Sequence, residues 1–332
     1  MTAHKDLKKR IRARMARTGE RYAAAREHVL REREESEDGV AVDEIVEAAV
    51  LKVNERSARV RVLGASDELT VRAPELAFVA PGQIATLRLI KRWTWRGDAY
   101  ASGQLIDVKT DIARLRLTPL PLEVVGPQSF SEHELGNGED EALAALWARH
   151  TGRPRIAVEL DIIAWEGPRA AESDDFDDTP ISDAAELWSD GEHEEARALV
   201  MEVLAEDLRC IDGHAHLGNW MLDRDPKRAL VHYEIGIAIG ELSLRAAPDD
   251  YVLPWGLLYN RPFLRCLNGQ GLALWKLGRV EEAAATFERM CALDPNDDQG
   301  ARFCWSAVRA GERWEDFADG DNRPRRAPHT LH

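Results

Sequence analysis

Hydrophobic positions change period along the chain, and each change marks a boundary. Leu7, Ile11 and Met15 fall four apart, as one helical face requires, and Thr18-Gly19 interrupts the pattern before it resumes from Tyr22 to Leu30. This predicts two short helices or one kinked helix. Glu32 to Asp38 (EREESED) is a solvated acidic run and a hinge. From about Val40 to Val108 the texture turns to short β-branched runs divided by turn residues. Val46–Val53, Ser57–Leu63, Glu68–Ala73, Gln83–Trp95 and Tyr100–Val108 read as strands, with turns at Asn54-Glu55-Arg56 and Arg96-Gly97-Asp98. Five strands in so short a span suit a small antiparallel barrel, OB-like or SH3-like.

Thr110 to Pro127 is rich in proline and leucine and reads as an ordered connector. Glu139 to His150 has a helical pattern, and Arg155 to Trp165 fits either a strand or a buried helix. The acidic stretch Glu172 to Asp178, followed by Pro180, reads as an exposed linker. Beyond it the helical period returns and holds to about residue 315. The expected fold class is therefore α+β and multidomain. Its parts are a basic helical segment (1–37), a β-barrel (38–110), a connector (111–180), a helical array (181–315) and a disordered tail (316–332).

Charge sharpens this division. The chain carries a formal charge of −15, yet Met1 to Arg26 holds nine Lys/Arg against Asp6 and Glu20. A uniformly coated nucleic-acid complex is excluded by that balance, so any such contact is local. No apolar run approaches the ~20 residues that cross a bilayer, and no membrane partner is expected. The four cysteines, Cys210, Cys266, Cys291 and Cys304, show no CxxC spacing and read as buried apolar residues in a cytoplasmic protein.

Internal periodicity is the most specific signal. Gly271, Gly278, Ala283, Phe287, Leu293, Asp294, Pro295 and Asn296 occur in LNGQGLALWKLGRVEEAAATFERMCALDPND. The order places a glycine where two helices pack closely, a turn glycine, a small residue at the crossing, a core aromatic and a terminating proline. Gly191, Ala196 and Leu204 mark an upstream copy, and Leu217, Gly218, Ala229 and Tyr233 another. Ala196 to Ala229 is 33 positions and Ala229 to Ala283 is 54, so about 20 residues are inserted around Gly240 to Arg261. The pattern resembles the tetratricopeptide repeat family from roughly Asp183 to Arg313. With its Arg-Pro-Phe-Leu-Arg lead-in, it is similar to a group of bacterial members of unassigned role. The resemblance implies stacked helix pairs, a cytosolic address and a concave surface that binds a protein or peptide segment. Groove positions would then include Asn219, Asp223, Arg265, Asn268, Trp275 and Lys276, with Arg265 and Lys276 holding an acidic group and the asparagines a peptide backbone. Ala215 stands where carboxylate-gripping relatives have lysine, so capture of a chaperone-type C-terminus is not implied. The insertion is expected to project toward a binding face.

Two basic segments offer nucleic-acid contacts: Lys8, Lys9, Arg10, Arg12, Arg14 and Arg17 at the start, and Lys91, Arg92, Trp93, Trp95 and Arg96 in the barrel. The first could also dock on a protein partner or on the chain's own acidic half, and its thin apolar stripe disfavours membrane insertion. In a regular strand, Trp93 and Trp95 share one face and Arg92 and Arg96 the other. Stacking on bases and holding phosphates are then not presented together unless a bulge intervenes, and the tryptophans read as lining the barrel core. Cys210, His214 and His216 do not converge on a metal, because His214 and His216 point to different sides of a helix. Asp174, Asp175, Asp177 and Asp178 lack the glycine and closing glutamate of a calcium loop. No nucleophile elbow, phosphate loop, dinucleotide fingerprint or HExxH is present in the sequence, and no catalytic residue or cofactor is assigned. The expected function is a non-enzymatic adaptor that binds a protein segment through its helical groove. The alternative is a regulator that contacts RNA or DNA through the basic helix and barrel.

Overall fold

The computed structural model describes residues 11–16, 18–28, 39–130, 141–160 and 179–319. Lys8, Lys9, Arg10, Arg17, the acidic run 32–38, the acidic stretch 172–178 and residues 320–332 lie outside them. The chain forms two compact units, one of residues 1–79 and 84–109, the other of 80–83 and 110–332.

In the first unit, residues 11–16 and 22–28 are helical, separated at Gly19, which takes a positive φ. Of the two arrangements expected, two short helices or one kinked helix, the chain forms the first. Ile11 and Ala25 are buried together with Met15 against them, which fixes one helix on the other.

Five strands follow: β1 (Val40–Asn54), β2 (Ser57–Val62), β3 (Glu68–Arg72), β4 (Ile84–Trp95) and β5 (Asp98–Lys109). They close into a barrel in the order β1-β2-β3-β5-β4, with β4 pairing back onto β1. Inward residues alternate along the strands, among them Val46, Ala48, Val50, Val60, Val71, Leu87, Leu89 and Ala101. Two sequence readings are corrected. One seam, β3 with β5, is parallel rather than antiparallel, because a 3₁₀ turn (Pro74–Phe78) carries the chain away from β3 before β4 begins. In addition, β1 starts six residues earlier than expected. Its first part is exposed at most positions, yet it pairs with Leu89 to Arg92 of β4 across a bulge. The β4–β5 hairpin turns on Arg96 and Gly97, both at positive φ, which suits the right-handed twist of the flanking strands.

The second unit opens with a short helix α1 (Ile112–Leu115) and a strand β6 (Leu122–Gln128), then α2 (Glu141–His150) and β7 (Arg155–Leu160). Of the ambiguous segment, residues 155–160 are strand; the remainder lies outside the described residues. Seven helices follow the linker: α3 (Pro180–Ser189), α4 (His193–Glu206), α5 (Ile211–Met221), α6 (Pro226–Leu244), α7 (Arg261–Lys276), α8 (Val280–Leu293) and α9 (Ala301–Arg309). A last short helix, α10 (Trp314–Asp319), buries Phe317 against Trp275, so the order extends into the region read as tail.

Contacts fix helix directions. Ascending α6, Tyr233, Gly236 and Gly240 meet Gly269, Cys266 and Phe263 of α7 in descending order, so the two helices are antiparallel. Asp212 and Asp223 meet Arg265 and Lys276 in ascending order, so α5 and the start of the turn after it run alongside α7 in the same direction. Gly271 passes so close to Phe287 of α8 that a Cβ there would lie 2.6 Å from the ring, which is the close packing the glycine was read to allow.

The insertion does not project. Part of it lengthens α6, and the rest folds inward as β8 (Tyr251–Val252), which pairs with β7 and completes the sheet β6-β7-β8. A second 3₁₀ turn (Leu258–Asn260) then brings Asn260 into β7. There its Oδ1 accepts from the Leu160 amide at 3.1 Å and its Nδ2 donates to the Val158 carbonyl at 2.9 Å. These side-chain bonds saturate the strand end where no further strand could pair.

Candidate functional site

Two surfaces of different chemistry result, one on each unit. On the barrel, Leu87 and Leu89 point inward, and the register slips between Leu89 and Lys91. This bulge reverses the parity of the strand beyond it. Trp93 and Trp95 therefore stand on the outside, half-buried rather than in the core, which corrects the first reading of these residues. Arg92 turns to β1 and pairs with Glu44 at 3.0 Å.

Cross-strand register assembles the outer face in three rows. Arg59, Thr70, Tyr100 and Trp93 form one; Ser57, Arg72, Ser102 and Lys91 lie two residues along; Arg61 and Glu68, with Asp98 and Trp95, lie two residues the other way. Trp93 and Tyr100 are stacked with nearly parallel planes, 13° apart, and centroids 5.8 Å apart, and Trp95 meets Tyr100 edge-on at 6.2 Å. The Arg72 guanidinium lies 5.2 Å from the Trp93 centroid and 5.8 Å from that of Tyr100, and Arg96 lies 4.6 Å over Trp95. Arg59 and Arg61 share the Glu68 carboxylate, each at 2.7 Å. The face thus joins aromatic planes to an excess of cations, in a chain whose overall charge is −15. Trp93 and Tyr100 face each other across the β4–β5 hairpin, but Arg72 reaches them only through the parallel β3–β5 seam, which sequence alone could not show.

On the helical unit, the groove residues divide. Asn219 is exposed and its Oδ1 accepts from the Tyr233 hydroxyl at 2.8 Å; Asn268 is half-buried. Arg265 donates to Asp212 at 3.1 Å, and Lys276 donates to Asp223 at 2.6 Å while lying 5.0 Å over the Trp314 ring. Both cations are satisfied from within the chain, so the expected grip on an acidic group is not presented. Trp275 is not a groove residue at all. It is buried against Phe287, Trp314 and Phe317, with its indole N–H donated to the Glu312 carbonyl.

What the same side does present is a run of rings that the sequence reading missed. His193 stacks on Trp188 at 4.1 Å, Trp188 on Trp220 at 4.4 Å with planes 3° apart, and His216 meets Trp220 edge-on at 5.7 Å. These rings come from α3, α4 and α5, so no local spacing announces them.

His214 and His216 diverge as predicted. The unforeseen partner is His232, whose Nδ1 lies 3.3 Å from His214 Nδ1 in full burial, with the Arg197 and Arg228 charges nearby. Burial lowers the His214 pKa to about 3, and burial together with the His214, Arg228 and Arg197 charges lowers that of His232. Both are thus neutral in the fold, while the unfolded chain takes up protons as pH falls below about 6.5. The stability that this pair contributes is present above pH 6.5 and is lost as the medium is acidified toward the lower folded values. Unfolding midpoints should fall between pH 7 and pH 5, at about 1.4 kcal/mol per pH unit for each histidine at the steepest. His232→Phe should flatten that slope; an unchanged slope would contradict the assignment.

At the corner between α8 and α9, burial raises Asp294 to about 6 and Asp297 to about 7. Asp294 accepts from the amides of Trp255 and Asp298, and Asp297 from that of Arg302, so both serve the corner. Burial also raises the thiol pKa of all four cysteines, which holds them protonated. Among the described residues no group of three or more His, Cys, Asp or Glu is placed to hold a metal ion, and no helix is long and apolar enough to cross a membrane. Comparison of the chain with protein-family models, curated proteins and solved structures gives no match.

Proposed function

We propose that the protein binds single-stranded nucleic acid on the outer face of its barrel. The observation that carries this reading is the Trp93–Tyr100 platform with Arg72 laid against it, on a face that also holds Arg59, Arg61 and Lys91. Unpaired bases stack on aromatic planes whatever their identity, and neighbouring guanidiniums meet the phosphates between them. A duplex hides its base faces and gains little from such a platform. The strand order β1-β2-β3-β5-β4, with its parallel β3–β5 seam, supports an OB-like rather than an SH3-like barrel, and OB-like barrels bind oligonucleotides on this side. Of the terminal cations first considered, Arg12 is exposed and Arg14 is paired with Glu20 at 2.9 Å.

The test is fluorescence anisotropy of a labelled 20-nucleotide oligouridylate or oligothymidylate against the full chain. Trp93→Ala and Tyr100→Ala should each weaken binding by about 5- to 100-fold, the worth of one stacked base. Arg72→Ala should reduce the slope of log affinity against log salt by about 0.7. Equal affinity for a duplex of the same sequence would refute the reading.

A second reading concerns the helical unit. Three successive pairs, α3/α4, α5/α6 and α7/α8, with α3 beside α5 and α5 beside α7, support a tetratricopeptide-like stack that engages a protein segment on the side of its first helices. On this reading the protein is an adaptor between a nucleic acid and a protein.

A further inference from the structure

We propose that the Trp188–Trp220 stack is a docking site for a lysine- or arginine-rich segment of a partner protein. The inference rests on the second reading above, that the helical unit engages a protein segment, and is independent of the barrel.

The rings define the place. Trp188 at the end of α3 and Trp220 at the end of α5 remain half-exposed although they stack almost face to face, and His193 extends the stack from the first residue of α4. Large aromatic surface left partly in water on neighbouring helices marks a surface that a ligand covers.

Charge selects the occupant. From Thr179 to Ala196 the chain carries Asp183, Glu186, Asp190, Glu192, Glu194 and Glu195 and no lysine or arginine. All six carboxylates are exposed, and four lie in the turn and first residues of α4 that hold His193 against Trp188. Beyond Trp220, Asp223 is 81% exposed but already pairs with Lys276, so the field rests on the six carboxylates of α3, α4 and the turn between them. On α7, Arg265 is likewise taken by Asp212. An electron-rich ring system within a field of carboxylates attracts cations and repels acidic peptides. The extent of the field argues for a peptide over a small cation. Helix α3 alone has ten residues and so spans about 15 Å, the reach of about four residues of extended chain. This is the reverse of the acidic partner that free Arg265 and Lys276 would have selected.

The test uses the full chain and fluorescein-labelled octaarginine and octaglutamate as probes, read by anisotropy at two salt concentrations. Asp190→Lys/Glu192→Lys/Glu194→Lys should weaken octaarginine binding at least tenfold. A control with the same change in net charge, Glu281→Lys/Glu312→Lys/Glu315→Lys, should weaken it less than twofold. Trp188→Leu/Trp220→Leu, which keeps apolar bulk and removes the indoles, should weaken it by about threefold or more. Equal losses in the two charge variants would show attraction by net charge only and overturn the proposal. Retained affinity in a folded leucine variant, or tighter binding of octaglutamate, would overturn it as well. All charge changes are at exposed positions, so that pair decides the matter even where the leucine variant does not fold.

Discussion

Arg155→Met is expected to destabilise the helical unit by about 3 kcal/mol or more, read as a lower midpoint of guanidinium unfolding at unchanged slope. Arg155 begins β7, its side chain is 5% exposed, and it serves three acceptors from distant parts of the sequence. Nε donates to Asp250 at 3.0 Å, Nη2 to the Tyr251 carbonyl at 3.0 Å and Nη1 to the Ala292 carbonyl at 2.5 Å. One guanidinium thus ties the sheet, the inserted segment and the end of α8. Methionine preserves the stem and strands two carbonyls, each of which costs about 1–3 kcal/mol when buried without a donor. Asp250 adds less, because it is partly exposed and also held by Arg153. Arg155→Lys should recover only a fraction, since a single ammonium cannot reproduce the fork. A change below about 1 kcal/mol for the methionine variant would show that the three bonds do not act in the folded protein.

The second large effect is expected at Gly269 and Gly218, which hold the ring of Tyr233. A Cβ at either position would overlap that ring, the three nearest atoms in both cases being its carbons. Tyr233 is fully buried and its hydroxyl is fixed on Asn219 at 2.8 Å, so it cannot swing away without losing a hydrogen bond. Gly269→Ala should therefore cost about 3 kcal/mol, at the upper end for overpacking, even though alanine favours a helix interior. The same substitution in a Tyr233→Leu background should cost less than about 1 kcal/mol, because the obstructing ring is gone. Additive losses in that double-mutant cycle would place the clash elsewhere.

The two units differed in how much of them could be read from the residues. Strand centres in the barrel were legible because alternation survives wherever one face is buried, as at Val46, Ala48 and Val50. The parallel seam and the bulge beyond Leu89 were not, since both depend on which strand lies next to which. The outward turn of Trp93 and Trp95 followed from that bulge, and with it the barrel surface. In the helical half, Gly271, Ala283 and Phe287 meet as their spacing implied: Ala283 and Phe287 are fully buried, and the Phe287 ring fills the space beside Gly271. The groove residues fared differently because position on a helix gives a direction and not a partner. Asp212 and Asp223 neutralise Arg265 and Lys276 from α5 and the turn after it, and α10 covers Trp275 in a region that had read as tail. The inserted segment looked like a projection by its length alone; its inward docking is set by Asn260 and Val252, which act through contacts about 100 residues away in sequence.

The barrel platform is tested most directly by photocrosslinking. The full chain would be irradiated with a bromouridine-substituted single-stranded 20-mer and the adducts located by peptide mass spectrometry. Adducts on Trp93, Tyr100 and Trp95 are predicted, lost on competition with unlabelled single strand and retained in the presence of duplex. Adducts confined to residues 1–28 or to the helical unit, with none on β4 or β5, would contradict the account.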